Sequence, residues 1–308
     1  MRYEEARKKP RVFQQLTGLK GEEFDKLKGP FQEAYEEDEQ KRRKPGNNAG
    51  RKPVLSSCED KLFFILFYLR HYTTQEVLGF LFGISQGQAN QWIHRLTPLV
   101  KQTLGNEGQL PVRTATDLKE LLAVCPELAF LIDGTDRPIR RPQDSQARRN
   151  DYSGKKKRHT KKNIIITEKA TGRVLSLGPT EPGSKHDKAC VDDEEYTFPK
   201  GSTLFQDTGF QGYEPQGATI VQPTKKPRGK ELSPEQKDAN RVISSQRVCV
   251  EHSIGGIKIF HAVSSIFRNI KDGFVDLVME TACGLSNFIR ECRQFQSAHH
   301  TKLALTGH

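Results

Sequence analysis

The chain has 308 residues, enough for one large domain or two of ordinary size, and with 34% hydrophobic residues it reads as globular and not as a disordered chain. Lysine and arginine outnumber aspartate and glutamate 49 to 38, a formal net charge of +11. That field attracts polyanions, so nucleic acid is the first partner to consider, against the alternative of a merely solvated basic surface. No apolar run reaches the roughly 18 residues of a membrane span. The N-terminus lacks the apolar core of a signal peptide, and the six cysteines (58, 125, 190, 249, 283, 292) show no C-x-x-C or zinc-finger spacing. A cytoplasmic protein with reduced thiols is expected, with no membrane partner.

Residues 1–50 read as an N-terminal helical segment and linker. A helical pattern runs through Phe13, Leu16, Leu19, Phe24, Leu27 and Phe31, followed by an acidic run (Glu36–Glu39), a basic run (Lys41–Lys44) and a linker, Pro45–Gly50. The apolar set is too small for an independent core, which makes it a candidate interface between protomers.

Residues 51–112 read as a helix-turn-helix domain. Three helices lie between Ser56 and Val100, opened by capping-box pairs Ser56 with Glu59, Thr73 with Glu76, and Ser85 with Gln88. The first, KLFFILFYLR, is apolar nearly all round and should be buried between its neighbours. Gly83, Ile84 and Ser85 form the short turn between the second and third helices. In the third, Ala89, Ile93 and Leu96 face inward, leaving Asn90, Gln91, His94 and Arg95 outward as candidate DNA contacts. A plain three-helix bundle with a solvated polar face would share this pattern.

Residues 113–308 change character. A connector helix (Asp117–Val124) precedes short strands at Leu128–Asp133, Asn163–Thr167, Val174–Leu177, Ser202–Asp207 and Thr219–Gln222. A late helix opens at Ser233, Pro234, Glu235 and Gln236, a capping box with proline at its first position. A further helix spans Asp272–Phe295, and its face of Phe274, Leu277, Val278 and Leu285 is expected to pack on the catalytic domain or else on a partner. The order describes an α/β domain with a mixed sheet, preceded by an all-α domain.

Two aspartates end apolar strands, Asp133 and Asp207, each followed closely by glycine, and residues at the ends of adjacent strands project into one crevice. Glu251 lies on the late helix beside the stripe Ile243, Val250, Ile254 and Ile257, with Arg247 and Lys258 along the same edge. Three carboxylates without cysteine or histidine form a hard-oxygen site suited to Mg²⁺ or Mn²⁺, and two such ions would serve an in-line displacement at phosphorus. Taken singly, each acid could be a turn cap or a solvated helix residue.

Between the first two acids the charge is densest: eleven Lys or Arg from Arg137 to Lys162, including Arg148, Arg149, Lys155, Lys156, Lys157 and Arg158. Such a run beside Asp133 suits a phosphate-tracking surface better than a solvated loop. Lys225, Lys226, Arg228 and Lys230 form a second basic patch, and Lys225 and Lys226, with Arg247 and Lys258 of the late helix, are further candidate contacts to the same DNA.

The strings LIDGTDRPIRRP, GSKHD (Gly183–Asp187), LFQDTGFQGY, RVCVEHSIGGIKIF and FRN closely resemble those of DDE transposases of the insertion-sequence-five group, with Harbinger/PIF transposases as distant relatives. The resemblance covers nearly the whole chain and implies an RNase H-like catalytic domain with a metal-held triad at Asp133, Asp207 and Glu251. Double-stranded DNA, as transposon terminal inverted repeats and target, would be the partner, and two ends to be joined imply a homodimer on DNA. His186 and Asp187 match the family pattern too, either supporting the site or as a loop histidine satisfied by its neighbour. A nuclease without strand transfer would share the chemistry, and a transposase-derived DNA-binding regulator would be expected to have lost an acid.

Overall fold

The computed structural model describes residues 1–43, 53–125, 127–227, 229 and 231–305. The expected linker at Pro45–Gly50, with Lys44, and the basic residues Arg228 and Lys230 lie outside the described residues. Two compact units divide the chain: a helical unit (Met1–Leu110, Lys258–Ser265 and Asn269–His308) and a sheet unit (Pro111–Ile257 and Ile266–Arg268).

The helical unit begins with α1 (Tyr3–Arg7), α2 (Pro10–Thr17), α3 (Gly21–Arg42), α4 (Cys58–His71), α5 (Gln75–Phe82) and α6 (Gln86–Asn106). As its all-round apolarity predicts, α4 is the central helix. Every residue from Lys61 to Leu69 is buried, against α2, α3 and α6. Lys61 is tolerated because its ammonium donates to the carbonyls of Ser56 (2.9 Å) and Ser57 (3.1 Å) and lies 4.7 Å from the Tyr35 ring. Gly83, at φ 69°, closes α5 in the left-handed conformation, and Ser85 with Gln88 caps α6 reciprocally. Two caps shift by one residue. Ser57 accepts from the Asp60 amide and Thr74 from the Val77 amide, where Ser56 and Thr73 were expected.

The N-terminal segment is part of this unit's core. Phe13, Leu19, Phe24, Leu27 and Phe31 are wholly buried, and Phe13 stacks on Phe63 of α4 with ring centroids 5.9 Å apart. The set that is too small to fold alone completes the core of α4, so its phenylalanines are not an interface between protomers. Each such side chain contributes about 1.5–3 kcal/mol of burial, and five of them approach the entire stability of a domain, about 5–15 kcal/mol. Deleting residues 1–36 is therefore expected to abolish the cooperative thermal melt of the helical unit. A truncated protein that melts cooperatively and stays monodisperse in light scattering would contradict this packing.

The sheet unit contains α7 (Ala115–Ala123), β1 (Ala129–Pro138), α8 (Ser145–Asn150), β2 (Tyr152–Ser153), β3 (Arg158–Glu168), β4 (Val174–Leu177), β5 (Glu181–Pro182), α9 (Asp187–Asp192), β6 (Ser202–Phe205), β7 (Ala218–Val221) and α10 (Pro234–Lys258, whose last residue belongs to the helical unit). The strand order is β2-β3-β1-β6-β7, with β4 and β5 also paired to β3. β1 runs antiparallel to β3 and parallel to β6, and β6 runs parallel to β7, so the sheet is mixed as expected. One face of it packs Phe130, Ile132, Ile164, Ile166 and Leu204 with Leu118 and Leu122 of α7 and Val191 of α9. Successive residues of β1 alternate between faces, which puts Leu131 and Asp133 on the other face. From α10, Ser253 donates to the Gly172 carbonyl at 2.8 Å and Lys169 meets Gln246 at 3.0 Å, while Val250 and Ile254 are buried.

The chain returns to the helical unit in α11 (His261–Ser264) and α12 (Phe274–Leu305). α12 packs on α6, and so tightly at Gly284 that a Cβ there would lie 3.1 Å from Leu104 Cδ1. Phe274, Val278 and Leu285 are buried in that contact. The face packs within the chain, the alternative favoured over a partner, but on α6 and not on the catalytic domain: an amphipathic pattern shows that a face is buried but does not name what buries it.

Candidate active site

β1 is longer than its apolar run. It passes through Asp133 and continues to Pro138, paired with β3 all the way, whereas its ladder with β6 ends at Leu131 opposite Phe205. Asp133 thus sits where one of its two neighbouring strands has stopped, and Asp207 lies two residues beyond the end of β6. This is the crevice position expected at adjacent parallel strand ends.

Each aspartate is oriented by the backbone that follows it. The Gly134 amide donates to Asp133 Oδ1 at 2.8 Å, and the Gly209 amide donates to Asp207 Oδ1 as the 3-10 turn Thr208–Phe210 begins. Gln222 at the end of β7 donates to the Asp207 carbonyl, and buried Gln206 reaches the carbonyls of Phe210 and Tyr213 at 3.4 and 3.3 Å. These glutamines shape the loop beyond β6. Nothing in their sequence spacing marks them.

Arg247 of α10 places Nη2 3.9 Å from Asp133 Oδ2, with side chains only 12% and 21% exposed. Burial pushes the Asp133 carboxyl up to about 6; Arg247 and the Gly134 amide pull it down, while the nearby charges of Asp207 and Asp187 raise it further. Burial is the main cause of the rise, and a cation bound beside the three carboxylates would offset it.

Asp187 opens α9, and its carboxylate meets Lys162 Nζ at 2.8 Å. Lys162, counted in the sequence with the basic surface, is in fact buried. The ring of His186 is exposed at the N-cap position and makes no side-chain cap, so the pair separates: Asp187 turns toward the aspartates and His186 does not satisfy it.

Glu251 is exposed on α10, one turn beyond Arg247, and among the described residues no hydrogen bond or ion pair joins it to the aspartates. Lys258 is the last residue of α10 and is assigned to the helical unit. Among the described residues no three Asp, Glu, His or Cys groups are closed into a finished metal cage. The acids that lie near one another, Asp133 and Asp207 with Asp187 beside them, offer only carboxylate oxygens, the donor type that suits a hard divalent cation.

The basic run divides. Arg137 is buried, its guanidinium on Asn163 (2.6 Å) and Thr180 (2.8 Å), and Lys161 pairs with Asp151 at 2.8 Å. Arg140, Arg141, Arg149, Lys155, Lys156, Lys157 and Arg158 are exposed, the last four at the turn between β2 and β3, and Arg148 is half-buried. In the second patch Lys225 is exposed and Lys226 pairs with Glu231.

In the helical unit, Gln91 is exposed and Asn90 half-buried on α6, but His94 and Arg95 are not presented as expected. His94 lies against Asn269 (3.3 Å) and the Phe274 ring, and burial lowers its pKa. Arg95 donates to Asp38 at 2.7 Å and lies over the rings of Tyr35 and Trp92. A second layer, α3 and the segment leading into α12, covers the face that periodicity assigned to solvent. We expect Arg95→Ala to cost about 1–3 kcal/mol of stability, since it removes a charged hydrogen bond to half-buried Asp38, which keeps only Arg42, and the guanidinium packing over Tyr35 and Trp92, and to weaken binding to all DNA alike if at all. Gln91→Ala should leave the melt unchanged and cost about 1–3 kcal/mol on the recognised sequence alone. Paired thermal melts and binding titrations on specific and random DNA separate the two; a selective loss in Arg95→Ala would overturn its structural role.

Half-buried carboxylates at the ends of adjacent parallel strands of a mixed sheet, with oxygen donors only and a cation on the packed helix, define a site of the metal-dependent nuclease class. Residues 132–287 match the family model described as DDE superfamily endonuclease, and residues 53–106 match that of the helix-turn-helix of DDE superfamily endonuclease. The chain is 29% identical over 260 residues, 84% of its length and 87% of the relative's, to the probable transposase for insertion sequence element IS702 of Microchaete diplosiphon. It is also similar to a chain in the cryo-EM structure of the piggyBac transposase synaptic complex with hairpin DNA, at a TM-score of 0.46 and 8% identity over 93% of this chain and 75% of that one. The chain belongs to the DDE superfamily endonucleases, with an RNase H-like α/β domain and a helix-turn-helix preceding it.

Proposed function

We propose that this protein is a transposase of the insertion-sequence-five type, which binds the terminal inverted repeats of its own element and cleaves and joins DNA strands there. The observation that carries the reading is the pairing of Asp133 with Asp207 beside Arg247, in a chain whose two family matches follow one another as DNA-binding and endonuclease parts. Similarity to a probable insertion-sequence transposase supports it.

In this reading Asp133, Asp207 and Glu251 hold two Mg²⁺ or Mn²⁺ ions. Such ions activate the attacking oxygen and stabilise the leaving one. The chain's own residues do the rest. The amides of Gly134 and Gly209 fix the rotamers of the two aspartates, and Arg247 limits their mutual repulsion. The third carboxylate comes from α10, whose exposed Glu251 stands one turn from Arg247. The basic turn between β2 and β3 tracks phosphates, and Gln91 and Asn90 read base edges. A homodimer on DNA follows from one triad per chain and two ends to be joined, and the working compartment is the cytoplasm, beside the chromosome. No helix of the described residues is long and apolar enough to cross a membrane.

The test is to incubate the purified protein with DNA that carries the sequences flanking its gene, plus Mg²⁺ or Mn²⁺ and a target plasmid. Joined products support the transposase, whereas cleavage without joining would make the protein a nuclease.

A further inference from the structure

The two catalytic turns face a structural problem that the backbone does not solve. The β1–β6 ladder ends at Leu131 and Phe205, so no strand pairing fixes the separation of Asp133 from Asp207 beyond that point. One side chain reaches both turns. A Cβ built on Gly134 would lie 2.9 Å from Asp187 Oδ1, and one built on Gly209 would lie 3.1 Å from Asp187 Oδ2. The Asp187 carboxylate therefore rests one oxygen against each of the two glycines whose amides orient Asp133 and Asp207. The absence of a side chain at these glycines is what permits the contact.

Asp187 is itself held. Lys162 Nζ lies 2.8 Å from its Oδ1 and also donates to the Lys185 carbonyl at 2.6 Å, with the lysine side chain only 10% exposed. Lys162 stands on β3 directly opposite Asp136 of β1, close behind the catalytic end of that strand. The contact chain runs from β3 through Lys162 and Asp187 to the turns after Asp133 and Asp207.

We propose that Asp187, anchored by Lys162, is a positioning residue that sets the spacing of the Asp133 and Asp207 carboxylates for divalent cation binding. This rests on the reading of those two acids as the metal-holding pair. One oxygen of Asp187 is occupied by the lysine and both abut the turns, which suits a brace rather than a ligand. Partners that orient ligands of this kind are worth about 10–100-fold in metal affinity.

The experiment is a calorimetric Mn²⁺ titration of the full chain for wild type, Asp133→Asn, Asp187→Ala and Lys162→Met, with the Mn²⁺ dependence of cleavage measured alongside. Asp187→Asn, which keeps the volume, stands in if Asp187→Ala does not fold. Asp133→Asn should lose Mn²⁺ binding. Asp187→Ala and Lys162→Met should each raise the Mn²⁺ Kd by about 10–100-fold, and saturating Mn²⁺ should restore most of their cleavage. A merely structural role would lower the melting temperature and leave the Kd of the folded protein unchanged, so a wild-type Kd in Asp187→Ala overturns the proposal. Weakened binding in Asp187→Ala with wild-type binding in Lys162→Met overturns it too, by making Asp187 a ligand without a brace. Wild-type Mn²⁺ binding in Asp133→Asn would instead remove the reading on which the proposal stands.

Discussion

Without metal, Asp133→Asn protein is expected to melt above the wild type at pH 7, and with Mg²⁺ present it should cleave DNA at least about a thousandfold more slowly. An unfolded aspartate ionises near 3.9, whereas burial pushes Asp133 up to about 6 in the fold. Between those values the folded protein keeps a proton that the unfolded chain has released. Stability therefore falls as pH rises from about 4 to about 6, and the deficit persists at neutral pH. At about 1.4 kcal/mol per pH unit it amounts to at most about 3 kcal/mol. Asparagine keeps the shape without the charge, so its advantage should vanish below about pH 4. Melts of both proteins in EDTA across pH 4–8, followed by cleavage assays, check both halves. A variant no more stable than wild type at pH 7 would show that Arg247 already compensates the charge, and full cleavage would remove Asp133 from the site.

Neutralising the turn between β2 and β3, as Lys155→Gln, Lys156→Gln, Lys157→Gln and Arg158→Gln together, should weaken binding to every DNA sequence. These four side chains are exposed on a short hairpin turn and carry no role in the core. Each phosphate contact contributes about 0.9 to the slope of log K against log salt, so four lost contacts flatten it by about 3 to 4. Titrations at several salt concentrations on terminal-repeat and random DNA read the slope directly. An unchanged slope would assign the charge to a solvated turn.

Much of this was legible in the sequence because local patterns survive folding. β4 begins and ends at the expected residues, Val174 and Leu177, and α4 is as buried as its apolar perimeter requires. The misplaced caps arise at doubled hydroxyl residues, Ser56-Ser57 and Thr73-Thr74, where the Glu three residues on favoured the first of each pair, whereas the second makes the cap without a Glu or Gln partner. β1 outruns its apolar stretch because beyond Leu131 only β3 still pairs with it, and a strand with one neighbour no longer needs apolar residues on both faces.

The failures share a cause, which is that periodicity describes one layer. It assigned Arg95 and His94 to solvent because Ala89, Ile93 and Leu96 face α4 and α5, yet α3 supplies Asp38 and the approach to α12 supplies Asn269 on the opposite side. It described the apolar face of α12 without showing that α6 is its partner. At the site, the two aspartates were marked by apolar runs ending in Asp with glycine following. Lys162 was hidden within a run of cations, and only the position of Asp187 distinguishes it from its neighbours.

The central claim is that Asp133, Asp207 and Glu251 together run a metal-dependent DNA cleavage and joining reaction, and Glu251 is its most exposed part, since it stands in solvent on α10. The most direct measurement is strand cleavage and joining by Asp133→Asn, Asp207→Asn and Glu251→Gln on terminal-repeat DNA in Mg²⁺ and Mn²⁺, with binding to the same DNA as the control for folding. The account predicts wild-type binding and loss of both reactions in all three variants, and loss in the wild type with EDTA; wild-type joining by Glu251→Gln, or by either aspartate variant, would contradict it.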